Sequence, residues 1–322
     1  MNRFLHSFAV VFISLAVTLA PSPLWACACG CGSFDVQTVV MAAPEGAYPM
    51  QGGRPASTRP GGLVYLEYDN ANQDQNWSGS RSASSDNNSD KLLRTDFITA
   101  GVQYMFNARW GMMAEVPVWN RLFKTVDDNG DTVTLHDTAL ADIRLRGVYT
   151  GFSSAMTSGL TFGVKLPTGD FKAAGFDRDS QIGTGGTDLL LGAYHLGTIT
   201  RDARWTWFSN VLLDQPVLSA GGYRPGAEGD VLIGASFRGW EFAGLRVSPL
   251  AQAIGSLRGR DSGTLAHSGD TGYARLLAGP GLHLAAGRLV ADAAVNFPVA
   301  QDVNGNQLMA AQYWKLSAGW RF

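Results

Sequence analysis

From Gly61 onward, apolar and polar residues alternate with a period of two. Val64, Leu66 and Tyr68 oppose Tyr65, Glu67 and Asp69. Ile98, Ala100, Val102, Tyr104 and Phe106 oppose Phe97, Thr99, Gly101 and Gln103. Trp110, Met112, Ala114, Val116 and Val118 oppose Met113, Glu115, Pro117 and Trp119. Ile143, Leu145 and Tyr149 oppose Asp142, Arg144 and Arg146, and Leu160, Phe162, Val164 and Leu166 oppose Thr161, Gly163 and Lys165. Successive side chains of a strand point to opposite faces, so each segment predicts a strand with one greasy and one polar face. Less regular segments follow near residues 188–199, 204–214, 230–240, 245–257, 272–285, 288–297 and 309–322. The last ends with Trp314, Leu316, Ala318, Trp320 and Phe322 on one parity and Lys315, Ser317, Gly319 and Arg321 on the other.

The connections come in two kinds. Short ones fall at residues 107–109, 151–158, 200–203, 239–244 and 286–287. Long, polar ones fall near 70–90, 124–137, 167–186, 215–229, 258–271 and 299–308. Beyond the N-terminal segment no uninterrupted apolar run is long enough to span a bilayer as a helix, and a lipid-embedded chain without spanning helices must close its sheet. The predicted fold class is therefore all-β, a transmembrane antiparallel up-and-down barrel of about 12 strands over residues 61–322. An even strand number with short turns on one side predicts both termini in the periplasm of a bacterium with an outer membrane.

Charge decides which face is inward. Arg or Lys on a lipid face costs about 2–4 kcal/mol at midplane. Glu67, Glu115, Asp142, Arg144, Arg146, Lys165, Asp188, Arg275, Asp292, Lys315 and Arg321 are therefore predicted to line the lumen. Both signs occur, so ion-paired networks are expected rather than a field of one sign. Trp110, Tyr149, Trp205, Trp207, Trp240, Trp314, Trp320 and Phe322 lie near strand ends, as interfacial aromatic girdles do.

Composition narrows the function classes. Lys and Arg number 25 against 27 acids, which predicts no nucleic-acid partner. Charged residues are only 16% while glycines number 39, which suits tight turns and girdles better than a soluble enzyme. Arg3, the apolar run Phe8–Ala20 and Leu24-Trp25-Ala26 read as a cleaved export signal over residues 1–26. Cys27, Cys29 and Cys31 follow it, and no other cysteine exists to staple the fold. Three readings stand for this CxCxC run: lipidation of Cys27, closely spaced thiolates for Cu(I) or Zn(II), or an exposed segment with free thiols or a vicinal disulfide. The Gly-, Pro- and Ala-rich stretch to residue 60 is a tether, a lumen plug or a lid, and the whole 27–60 segment is a candidate contact for a periplasmic partner.

No cofactor is predicted outside that cluster, and no GxSxG, Walker A, HExxH or GxGxxG pattern supports catalysis. His136-Asp137 is the one adjacent pair of catalytic type in a long loop. The runs Asp127–Asp131 and Asp302–Asn306 begin like calcium loops but lack Gly at the sixth place and a closing Glu, so Asn-Gly turns are the expectation there.

Two stretches carry a family resemblance. Lys165-Leu166-Pro167-Thr168-Gly169-Asp170 ends one strand, Ile182-Gly183-Thr184-Gly185-Gly186-Thr187-Asp188 opens the next, and Ala141-Asp142-Ile143-Arg144 lies upstream. Together they resemble the K-x-P-T-G, G-T-G-S-x-D and G-D-I-R-like signatures of the MetA-pathway phenol-degradation proteins of the outer membrane, often called simply "transporter". Gly186 stands where Ser is usual and Ala141 where Gly is usual. The resemblance spans roughly residues 61–322 and implies a transport-like role for small, hydrophobic or aromatic solutes. The amphipathic end in Trp320 and Phe322 likewise resembles the closing strand that the barrel-assembly machinery recognises in outer-membrane lipid. Physically, Pro167 suits a strand end and the glycines suit a folded loop. Two readings of residues 167–186 remain: a loop that binds nothing, or one folded inward to constrict the lumen.

Overall fold

The computed structural model describes residues 61–127, 129–152 and 156–322, so the export signal, the three cysteines and the segment to residue 60 lie outside the described residues. The strands are β1 (Gly61–Gly79), β2 (Arg81–Ser82), β3 (Asp90–Met105), β4 (Trp110–Val126), β5 (Thr132–Leu140), β6 (Arg144–Tyr149), β7 (Ser158–Lys165), β8 (Thr187–Thr198), β9 (Trp205–Leu218), β10 (Glu228–Phe237), β11 (Trp240–Phe242), β12 (Leu245–Arg258), β13 (Tyr273–Ala286) and β14 (Leu289–Arg321). Eleven of them form one antiparallel ring, β1-β3-β4-β6-β7-β8-β9-β10-β12-β13-β14, which β14 closes back onto β1. β2, β5 and β11 lie outside it, each paired along one neighbour.

β14 is two strands in one. Its first limb pairs with β13 from Leu289 to Val303, and its second pairs with β1 up to Arg321. A straight strand of 33 residues would be about 110 Å long. Yet the Arg321 N–H donates to the Arg288 carbonyl at 2.9 Å, so the chain doubles back. It does so at Asn304-Gly305, where Gly305 takes φ +59°, the left-handed conformation that glycine reaches without penalty. Counting the two limbs separately turns the eleven ring elements into twelve, near the sequence expectation.

Three predicted long loops are shorter than expected. β1 runs on to Gly79, β4 and β5 pair as far as Val126 with Thr132, and the stretch at 299–308 is strand on either side of the reversal at Asn304-Gly305. These extensions rise beyond the apolar belt, where neither face of a strand needs to be greasy, so the period-two signal fades although the ladder continues. Asp127 closes the β4–β5 turn by accepting from the N–H groups of Asn129 and Asp131, the turn role expected of it. His136 and Asp137 sit on β5 opposite Leu122 and Arg121, and adjacent strand residues face opposite ways, so they cannot act as a pair.

One interruption of the ladder sets a buried carboxylate free. β5 and β6 both pair with β4, and residues 141–143 break what would otherwise be a single strand. Pro117 lies opposite the break; its carbonyl accepts from Ala141. In an antiparallel ladder a residue's N–H and C=O point to the same side, and proline has no N–H to give. The ladder fails there, and Asp142 is released from it.

The partition of residues inverts that of a water-soluble domain. Outside lie Val64, Leu66, Ile98, Val116, Phe162, Leu191, Ile233 and Leu316, each more than a third exposed. Inside, with under a tenth of their surface exposed, lie Glu67, Asp69, Glu115, Arg121, Arg144, Arg146, Asp188, Asp230, Arg275 and Lys315.

Candidate functional site

The short turns and both barrel termini sit at one end, where Gly62 and Phe322 exchange two backbone hydrogen bonds of 3.0 Å. The longer loops sit at the other end. Between them paired charge projects into the lumen. Nearer the turn end, Lys315 Nζ lies 2.7 Å from Glu67 Oε1 and 3.4 Å from Asp69 Oδ1. Beside it Arg146 Nη2 lies 3.3 Å from Glu115 Oε2, and the Tyr65 hydroxyl donates to Glu115 Oε1 at 2.8 Å. Nearer the loop end, Lys165 bridges Asp188 and Asp214, the latter at 2.7 Å. Across the lumen the Arg275 guanidinium lies between the rings of Tyr273 and Tyr313, 4.7 and 4.8 Å from their centroids, and donates to the Tyr313 hydroxyl at 2.6 Å. Tyr273 in turn donates to Glu228 Oε1 at 2.6 Å.

Of the sequence-predicted lumen residues, Glu67, Glu115, Asp142, Arg144, Arg146, Lys165, Asp188, Arg275 and Lys315 therefore point inward, and Asp292 does so near the turn end, bonded to His283 at 2.8 Å. Arg321 is at the rim, half-buried. Trp320 lies outside, paired with Val64, next to the terminal Phe322.

The connection between β7 and β8 folds into the barrel, with Ser180, Gln181 and Ile182 all buried. The three motif segments meet at its neck. The Asp142 carboxylate, freed by the break opposite Pro117, accepts the Gly169 N–H at 2.9 Å on one oxygen. On the other it accepts the Thr184 N–H at 2.9 Å and the Thr184 hydroxyl at 2.6 Å. Thr168 Oγ1 accepts the Ile143 N–H and donates to the Ala141 carbonyl. One carboxylate thus ties the loop's way in to its way out. Its tip is gripped by Arg121, which donates to the carbonyls of Ser180 at 2.6 Å and Gln181 at 2.8 Å and to Thr95 Oγ1 at 3.0 Å. Arg178 stacks between Phe171 and Tyr223 at 4.9 and 4.7 Å, and the Tyr223 hydroxyl donates to Asp261 at 2.6 Å, joining this loop to two others. A cavity of about 90 Å³ lies between loop and wall. Its charged lining is balanced: Arg121, Arg144, Lys165, Arg178 and Arg258 against Asp142, Asp179, Asp188, Asp214 and Glu228.

Sequence reasoning did not single out Arg121, Asp214 or Tyr313. Arg121 continues the inward parity of Glu115 and Trp119, and Tyr313 that of Lys315, so extending two segments by one step was the available signal.

An outer membrane channel of Pseudomonas putida F1, the COG4313 channel, superposes with a TM-score of 0.61 at 12% identity, covering 84% of this chain and 99% of that one. The chain shares the β-barrel fold of that outer-membrane protein. A Pseudomonas aeruginosa FadL homologue (11% identity, 82% and 90% covered) and the β domain of the Bordetella autotransporter BrkA (12%, 81% and 98%) give TM-scores of 0.38 and 0.46. No protein-family model and no curated protein matches the chain.

At the loop end, burial pushes the Asp90 carboxyl up to about 8, with repulsion from Asp177 adding to it, and burial also raises Asp177. A carboxyl raised on folding holds its proton where the unfolded chain has lost it. The stability this carboxyl contributes is then fully present below the ordinary value of 3.8 and is lost as pH rises toward about 8. Amide exchange at residues 177–181, corrected for the intrinsic rate, is expected to accelerate across that window in the native barrel. Asp90→Asn should flatten the pH dependence.

Proposed function

We propose that the protein is a channel of the bacterial outer membrane, its turns toward the periplasm, and that small solutes cross it when the inward-folded loop moves. The observation that carries this is the pinning of residues 167–186 inside a closed ring: a segment held by one carboxylate and one arginine occupies the loop end of the lumen and narrows it. The fold shared with the Pseudomonas putida channel supports the same reading. The resemblance to the phenol-degradation proteins implies hydrophobic or aromatic solutes. A lining that mixes five cations with five anions favours the polar members of that class, aromatic rings bearing a hydroxyl or carboxylate, over bare hydrocarbons. Uptake of phenol, benzoate and toluene into vesicles holding the purified barrel tests it. Phenol and benzoate should enter faster than into empty vesicles, with no added flux of toluene. A toluene-only increase would contradict the solute class, and no increase for any of the three, in a barrel with its loop freed, would contradict the channel.

A further inference from the structure

The turn end carries a second feature that conduction does not use. Arg109, Arg201, Arg204, Arg238, Arg246, Arg288 and Arg321 all lie at this rim, against two exposed acids among the described residues, Asp202 and Glu241. Both acids are engaged, Asp202 by Arg204 at 3.7 Å and Glu241 by Arg246 at 3.3 Å. Five arginines are left without an ion-pair partner among the described residues. Some are also brought together. The Arg238 N–H donates to the Arg204 carbonyl at 2.7 Å, and the Arg321 N–H to the Arg288 carbonyl at 2.9 Å, so like charges occupy neighbouring strand ends. Such pairing is destabilising unless an anion relieves it. The cation type is also selective: the five lysines, at 91, 124, 165, 172 and 315, all lie elsewhere. Arginine's planar fork matches phosphate oxygens in pairs, whereas lysine offers a point charge. Finally, Arg109 precedes Trp110, Arg204 precedes Trp205, and Arg321 stands between Trp320 and Phe322, with all four aromatics exposed. Aromatic rings at headgroup depth with cations beside them is the arrangement that holds a protein at a lipid surface.

We infer that this arginine rim is a docking surface for anionic phospholipid, its guanidinium groups gripping the headgroup phosphates of the leaflet that the turns face. The inference rests on the membrane-embedded reading above. Mixed charge at the loop end, where Asp74, Asp86, Asp131 and Asp302 offset Arg81, Arg94 and Lys124, gives that face no such preference.

The test compares the full chain with a rim variant, Arg109→Gln, Arg204→Gln, Arg238→Gln and Arg288→Gln together, in vesicles of phosphatidylcholine with and without phosphatidylglycerol. Both proteins should insert into pure phosphatidylcholine, where the variant should melt no lower than the native chain, since these turn side chains are exposed and its like charges no longer face each other. Phosphatidylglycerol should raise the melting temperature of the native rim, the rise should shrink at high salt, and the variant should lose most of it. The barrel's affinity for phosphatidylglycerol, titrated by native mass spectrometry, should fall by about fivefold per arginine removed. An equal phosphatidylglycerol response in the two proteins would overturn the proposal, as would the same stabilisation by inorganic phosphate in pure phosphatidylcholine. Failure of both proteins to insert into either vesicle would instead overturn the membrane reading itself.

Discussion

Replacing Gly183 with valine is expected to open the barrel. A Cβ at this position would lie 2.4 Å from both the carbonyl carbon and the oxygen of Gly169, and a Cβ on Gly169 would lie 2.7 Å from the Gly183 Cα. The two strands of the loop neck therefore pack backbone on backbone, with no flexible side chain to yield. A larger residue must part them, which pulls Thr184 away from Asp142 and releases the tip from Arg121. The barrel ladder does not pass through the neck, so the ring should still form, at an overpacking cost of about 1–3 kcal/mol. Single-channel recording should show conductance several-fold above that of the native protein, and proteases should cut within residues 171–182. Asp142→Asn should act in the same direction but more weakly, since one acceptor survives. A Gly183→Val barrel with a protease-sensitive loop and native conductance would mean that this loop does not control the lumen.

The largest stability loss is expected for Lys165→Met. Lys165 is the cation between Asp188, which has no exposed surface, and Asp214. Removing it leaves two carboxylates facing each other inside the barrel. Breaking a buried ion pair by removing one partner costs about 3–5 kcal/mol because the remaining charge stays desolvated. Urea unfolding of the refolded barrel should show a loss of that size. Combining Lys165→Met with Asp188→Asn and Asp214→Asn should recover most of it, because the uncompensated charge is gone. A loss below about 1 kcal/mol, the range of exposed surface pairs, would show that water fills this part of the lumen and that the network is not a dry plug.

Legibility in the sequence follows the physics of the two solvents. Where hydrocarbon lies outside, every second residue must be apolar, and Val64, Leu66 and Ile98 against Glu67, Thr99 and Glu115 could be read directly. Above the belt both faces are wet, so Thr132–Leu140 and the turn at Asn304-Gly305 were hidden in predicted loops. The inward charges were legible because a charge on a lipid-facing surface would be costly. Their partners were not, since Lys165 meets Asp214 across 49 residues, and Asp142 reaches Gly169 and Thr184 across 27 and 42. Both glycine-rich stretches were recognisable as shaped backbone. That they close on one aspartate depends on Pro117 breaking the neighbouring ladder, a consequence of register that no local pattern carries.

Lipid outside the ring and paired charge inside it is the arrangement on which the proposed channel depends. Single cysteines placed in turn at positions 64–69, with Cys27, Cys29 and Cys31 changed to serine, can each carry a fluorophore in vesicles containing brominated lipid. Quenching is predicted at Val64, Leu66 and Tyr68, with Tyr65, Glu67 and Asp69 protected. Equal quenching at odd and even positions, or none at any of them, would contradict it.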